Sequence, residues 1–234
     1  MKVTFIYHSS YFVELDHCCL LFDYYQGDIP QVDKPLYVFA SHHHGDHYAP
    51  EIFAQLGMDN VWYVLANCIR LSAKRKAALG IDDSHVFRLA AGRHLSLGGL
   101  DIQTYRSTDA GVAFLVEVEG KTIFHAGDLH WWHWAEEDAA WNQAMERDFK
   151  KECAKLQGKP VDVGFFVLDP RQEGEFWWGF DWWMRTMEVK HAFPMHSWED
   201  YTLVQTLRTL PCSAPYRDRV VEVSGKGQVF SWED

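Results

Sequence analysis

Apolar and polar positions change places in short runs through the first quarter of the chain. Segments 2–7, 11–16 and 19–24 are apolar runs divided by turn-prone breaks, the pattern of short strands. The run at 36–40 predicts a buried strand, and 50–56 a short helix with Pro50 tolerated in its first turn. A strand at 61–66 and a helix at 68–78 follow. Further strands are expected at 85–89, 101–105, 112–118 and 121–125, with Glu119-Gly120 as the turn between the last two. The longest helical pattern is 135–157. Glu136, Glu137 and Asp138 stand at its start and Lys150, Lys151 and Lys155 near its end, matching the helix dipole, and Gly158 and Pro160 stop it. Then come a strand at 161–168, a helix at 179–189, a strand at 191–195, a helix at 199–208, and strands at 219–223 and 227–230. No repeat, low-complexity tract or linker interrupts the order, so residues 1–234 are expected as a single α/β domain, with two sheets covered by helices.

The candidate chemistry sits directly after the apolar run at 36–40. There Ser41-His42-His43-His44-Gly45-Asp46-His47 gathers four potential metal ligands, His42, His44, Asp46 and His47. Imidazole and carboxylate suit zinc and neighbouring divalent metals. Residues two apart in an extended chain point the same way, so His42 and His44 share a side and His43 faces the other. Gly45 lets the chain turn, and Asp46 and His47 diverge after it. Asp128, in His125-Ala126-Gly127-Asp128, and His196, after Phe193-Pro194-Met195, are distant candidates that would complete a folded site.

His42-x-His44-x-Asp46-His47, followed by Gly127-Asp128 and His196, resembles the metallo-β-lactamase superfamily. The resemblance implies an αββα sandwich with metals at one edge of the sheets. It implies a first metal site built on His42 and His44, a second on Asp46, His47 and His196, and Asp128 bridging the two, with Asp46 and Asp128 as the catalytic carboxylates. The family's usual third histidine of the first site is missing from Thr104-Tyr105-Arg106-Ser107-Thr108-Asp109, where Asp109 or water could replace it. Asp23, at the end of Leu20-Leu21-Phe22, is a carboxylate placed to fix a ligand imidazole, or else a strand cap. His8, in His8-Ser9-Ser10, is expected to support the ligands in the same way. His8-Ser9-Ser10 and the Pro-Met-His ending are similar to lactonase-like hydrolases such as ascorbate-6-phosphate lactonase. Ser107-Thr108-Asp109 with Asp169-Pro170-Arg171 resembles a poorly characterised bacterial subgroup.

The formal charge of −11 disfavours nucleic acid, because an acidic surface repels phosphate backbones. Five cysteines without framework spacing are expected as reduced thiols, and the opening Met1-Lys2-Val3-Thr4-Phe5-Ile6 lacks a signal peptide's pattern, so a cytoplasmic location is expected. No apolar run is long enough to span a membrane. Trp131-Trp132-His133-Trp134 and Phe176-Trp177-Trp178-Gly179-Phe180-Asp181-Trp182-Trp183 are pocket walls, packing, or the contact of a homo-oligomer. His130 and His133 are either proton donors or surface-loop histidines, and Trp131 is a candidate pocket wall. Arg106 and Arg171 either hold an anionic substrate group or form structural ion pairs. The cluster Arg70, Lys74, Arg75 and Lys76 is expected as a solvated helix face. The expected function is a metal-dependent hydrolase using one or two zinc ions, with manganese or iron as alternatives. Its substrate would be a small ester, lactone or phosphoester. A small-molecule phosphodiesterase, or a non-enzymatic metal-binding or ligand-sensing protein, are the alternatives.

Overall fold

The computed structural model describes residues 1–232. They gather into two compact units: Met1–Ala90 with the chain from Gly225, and Ala91–Ser224.

In the first unit, β1 (Lys2–Tyr7), β2 (Ser10–Glu14) and β3 (Cys19–Phe22) form an antiparallel meander. β4 (Leu36–Ala40), β5 (Val61–Ala66) and β6 (Val86–Leu89) then add in parallel to β3, and the last strand, β13 (Val229–Ser231), closes the other side against β1. Every residue of β3 and β4 is buried. That explains why both read as unbroken apolar runs rather than alternating ones. Helix α1 (Ile52–Leu56) buries Ile52 and Phe53. Helix α2 (Ala73–Ala78) begins at the Ser72 cap, whose side chain accepts from the Arg75 N–H at 3.2 Å. The expected start at 68 was therefore too early: Ile69 is spent on the core, only 1% exposed, before the cap begins the helix.

In the second unit, β7 (His94–Leu97), β8 (Leu100–Arg106), β9 (Val112–Val118) and β10 (Lys121–His125) form an antiparallel meander. β11 (Pro160–Val167) and β12 (Glu188–Met195) continue it in parallel from β10. Glu119 and Gly120 both take positive φ, 51° and 72°, as a tight two-residue hairpin turn needs. Helix α3 (Ala139–Cys153) starts after Asp138, whose carboxylate accepts from Trp141 N–H at 2.7 Å, later than the predicted 135. Helices α4 (Trp178–Thr186) and α5 (Leu203–Thr209) complete the unit. Three expectations are corrected. β7 was not foreseen, since its exposed alternate positions hide the pattern. β12 takes residues 188–189, which were assigned to the preceding helix, and residue 190, which was assigned to neither element. Residues 219–223 form no strand; only Val220 bridges, to Ala192.

All five cysteines are free thiols. Among the described residues no helix is long and apolar enough to cross a membrane.

Candidate metal centre

Parallel pairing builds the first unit's cluster. Phe22 of β3 lies opposite Phe39 of β4, and the Asp23 N–H donates to Phe39 O at 2.9 Å. Both strands therefore finish at the same level, and Asp23 meets the start of the histidine motif. Asp23 is fully buried and takes a left-handed φ of 44°. One oxygen accepts from Ser41 N–H at 2.6 Å, the other from Ser41 Oγ–H at 2.6 Å and His47 Nδ1–H at 2.7 Å. Ser41 Oγ lies 2.9 Å from His42 Nδ1 and, having given its proton to Asp23, accepts from that ring. One carboxylate thus holds His47 directly and His42 through a hydroxyl. Both imidazoles keep their lone pair on Nε2, the state a metal ligand needs. Beyond His42, the Tyr48 and His47 N–H groups both donate to His44 O, at 3.0 and 3.1 Å, folding the motif into a single helical turn. His42 and His44 rings lie 4.5 Å apart, and His43 is exposed, as alternation predicts. His8, φ 53°, puts Nε2 at 3.5 Å from Asp46 Oδ2. His8, Asp46 and His47 each offer a ligand atom within 4.8 Å of the others'.

The second unit repeats the device. Its parallel strands β10, β11 and β12 end together, with Ala126 N–H on Phe165 O at 3.1 Å and Leu168 N–H on Met195 O at 2.8 Å. Asp128, Asp169 and His196 follow those ends. His196, φ 62°, gives Nδ1–H to Asp169 Oδ2 at 3.2 Å. Its Nε2 stands 3.1 Å from Asp128 Oδ1. With the proton on Nδ1, two acceptors face one another there, so a proton or a cation belongs between them. The pair of donors, imidazole nitrogen and carboxylate oxygen, fits zinc, iron or manganese. A carboxylate oxygen of Asp109 lies within 4.8 Å of one of Asp128, where a replacement ligand would have to be. Burial works to raise Asp169, but its bonds to His196 and Arg171 win and hold it well below the usual carboxylate range.

Asp169, singled out in the sequence only within Asp169-Pro170-Arg171 and given no site role there, is the carboxylate that holds His196. Its signal was available: like Asp23, it ends a buried apolar strand run. Arg171 is held against Asp169, with Nε 3.0 Å from both carboxylate oxygens, and its guanidinium lies over the rings of Trp198 and Trp134. It takes the ion-pair alternative. His130 is corrected outright. It is fully buried, not on a surface loop, and its Nε2 is 2.7 Å from Gln172 Oε1. Burial pushes it down to about 4, so it is neutral at pH 7 and unsuited to donating a proton there. Trp131 packs against Trp178 at 5.0 Å and carries Lys150 Nζ at 4.3 Å from its ring centre, which makes it part of a packed aromatic cluster rather than a bare wall. His133 lies 4.9 Å from Trp178. The two tryptophan-rich segments therefore pack on each other. Arg106 borders a cavity of about 490 Å³ with Asp109, Trp141 and Lys151.

A family model described as a β-lactamase superfamily domain matches residues 2–142, running through the boundary between the two units. A UPF0173 metal-dependent hydrolase of Desulforamulus reducens is 30% identical over 141 residues, 55% of this chain and 62% of that protein. The chain thus matches less than two thirds of that relative's length. A UPF0173 metal-dependent hydrolase of Pyrococcus furiosus is 25% identical over 218 residues, 84% of each chain. Among solved structures, the metallo hydrolase Igni18 of Ignicoccus hospitalis aligns over 99% of both chains with a TM-score of 0.64 at 14% identity. The diiron β-hydroxylase CmlA of Streptomyces venezuelae aligns with 83% of this chain and 44% of its own, TM-score 0.51, at 11% identity. At such identities the likeness is one of fold: two mixed sheets with helices, of the α/β sandwich class. Because the family model matches more than half of this chain, the chain belongs to the metallo-β-lactamase superfamily.

Proposed function

We propose that the protein is a metal-dependent hydrolase of a small ester, lactone or phosphoester. In this reading His42, His44, Asp46, His47, Asp128 and His196 are the metal ligands and Asp109 completes the set. The observation that carries it is the facing pair His196 Nε2 and Asp128 Oδ1, 3.1 Å apart with the histidine proton committed to Asp169. The names of the curated relatives support the same reading. When bound, the metal supplies Lewis acidity, polarising a substrate oxygen and lowering the pKa of a water. The chain's own contribution is preorganisation. Asp23 and Asp169 fix three imidazole tautomers, so no proton has to leave Nε2 before a ligand bond forms. Asp46 and Asp128 add negative charge that holds a dication. Burial raises the thiols of Cys68, Cys212 and, most of all, Cys153 and keeps these three protonated, which disfavours them as nucleophiles.

The lactone is the favoured substrate because of the His8-Ser9-Ser10 and Pro194-Met195-His196 likeness to lactonase-like hydrolases. Zinc is the favoured metal; the fold also carries a diiron enzyme, so iron is tested beside it. We take the enzyme to be cytoplasmic and to act as one domain. The test is metal analysis of purified protein together with hydrolysis assays on lactone, ester and phosphodiester panels, with zinc, manganese or iron restored to chelated protein. Hydrolysis restored by one metal is the expected result. Bound metal with no turnover of any panel member would turn the reading to a structural or sensing role.

A further inference from the structure

Arg70, Lys74 and Arg75 of the basic cluster are exposed, as expected of a solvated face, and Lys76 is half-buried. Arg70 and Arg75 border a cavity of about 790 Å³ within the first unit, together with His43, Tyr48, Pro50 and Asn67. Three facts give this cavity a chemistry. Neither guanidinium has an ion-pair or hydrogen-bond partner among the described residues, whereas Lys76, next to Arg75 in α2, is taken by Asp83 at 2.5 Å. Tyr48 lines the same cavity; its hydroxyl is buried, lies within electrostatic reach of Arg75 and Glu51, and has no hydrogen-bond partner within the protein. No carboxylate borders the cavity, in a chain whose formal charge is −11. Buried polar atoms without partners are uncommon and call for one from outside the protein. The two guanidiniums can only donate and the phenol hydroxyl can donate beside them, a set that matches an oxyanion. The cavity also adjoins the metal motif along the chain: Tyr48 follows His47 directly, its N–H donates to His44 O, and His43 lies in the cavity wall.

We infer that Arg70, Arg75 and Tyr48 bind the anionic group, phosphoryl or carboxylate, of a small organic substrate. This rests on the hydrolase reading for the word substrate, and narrows that reading to anionic esters or lactones. Pro50 and Ile69 supply the apolar wall for the organic part.

Calorimetric titration of the metal-loaded protein with phenyl phosphate tests it. Saturable binding is expected, at least tenfold tighter than inorganic phosphate. The R70Q/R75Q double variant should bind phenyl phosphate at least tenfold more weakly and Tyr48→Phe several-fold more weakly, with metal content unchanged in both. Arg70 and Arg75 are exposed, so their replacement leaves the core intact. Equal binding by R70Q/R75Q and wild type would place the anion elsewhere, the metal included, and overturn the assignment. Equal affinity for inorganic phosphate would make it a free-anion site and overturn the substrate role, and equal affinity for neutral benzyl alcohol would overturn it as well. Titration reads binding without turnover. Binding lost in R70Q/R75Q by a protein that hydrolyses nothing would refute the hydrolase and keep the oxyanion site. Hydrolysis of neutral esters with no phenyl phosphate binding would refute the site and keep the hydrolase.

Discussion

Asp23 serves two histidines at once, and that makes it the residue on which the first unit's cluster depends. Asp23→Ala strips acceptors from Ser41 N–H, Ser41 Oγ–H and His47 Nδ1–H, all buried. Leaving such donors unpaired should cost about 2–3 kcal/mol of stability. Free imidazole tautomers should lower metal affinity roughly 10–100-fold. Urea unfolding and zinc titration read the two separately, and unchanged zinc affinity would show that Asp23 is only a strand cap. His130 contributes to the pH response, as does His191, which burial also lowers. The folded value of His130, about 4, lies below the roughly 6.5 of an unfolded histidine. The unfolded chain therefore takes up the proton first, and stability falls as pH drops through the interval from about 6.5 to about 4, then levels off. Between pH 7 and pH 5 this one group should remove about 2 kcal/mol. His130→Gln should flatten that slope in urea midpoints measured at the two pH values; an unaltered slope would assign it to other groups. At this scale the ligand residue types were legible because metal chemistry admits few side chains. Ser41 and Gln172 were not, because what makes them matter is a neighbour distant in sequence; Asp169 carried only the signal of ending an apolar strand run.

At the scale of elements, strand ends did the placing. Apolar runs announced β3, β4, β11 and β12, and the parallel pairing of β3 with β4 and of β11 with β12 delivers Asp23 beside Ser41 and Asp169 beside His196. Helix starts followed capping residues, Ser72 and Asp138, more faithfully than apolar periodicity. The placement of α4 turns on one glycine. A Cβ on Gly179 would come 2.3 Å from His130 Cε1, inside a ring that is buried and already tied to Gln172. Alanine favours a helix interior by up to about 1 kcal/mol over glycine. Overpacking a buried ring costs about 1–3 kcal/mol. Gly179→Ala should therefore destabilise despite its better helix propensity, and differential scanning calorimetry should show a lower Tm. A raised Tm would mean that His130 can give way. Gly164 of β11 is constrained in the same sense, since a Cβ there would meet Phe166 at 2.4 Å. Neither restriction has a signature in local sequence.

For the whole molecule, metal binding and folding are linked. A ligand that binds only the folded state adds about 2.7 kcal/mol at a hundredfold excess over Kd. Chelation should therefore lower Tm, restoration of metal should recover it, and His196→Ala should shrink the difference. A Tm indifferent to chelator and metal would sink the metal proposal. The chain by itself determined the family, through six spaced ligand types, and the α/β class, through the order of strand and helix patterns. Both are written in local chemistry: which side chains bind a metal, and which runs of residues can bury a face. Tertiary structure alone decided the rest. It made Asp169 a partner of His196, turned Arg171 into an ion pair, buried His130, packed the two tryptophan segments on each other, and left Arg70, Arg75 and Tyr48 around one cavity. Each of those outcomes depends on pairing between segments far apart in the chain, and pairing is set by the burial of the whole core rather than by the residues that end up in contact.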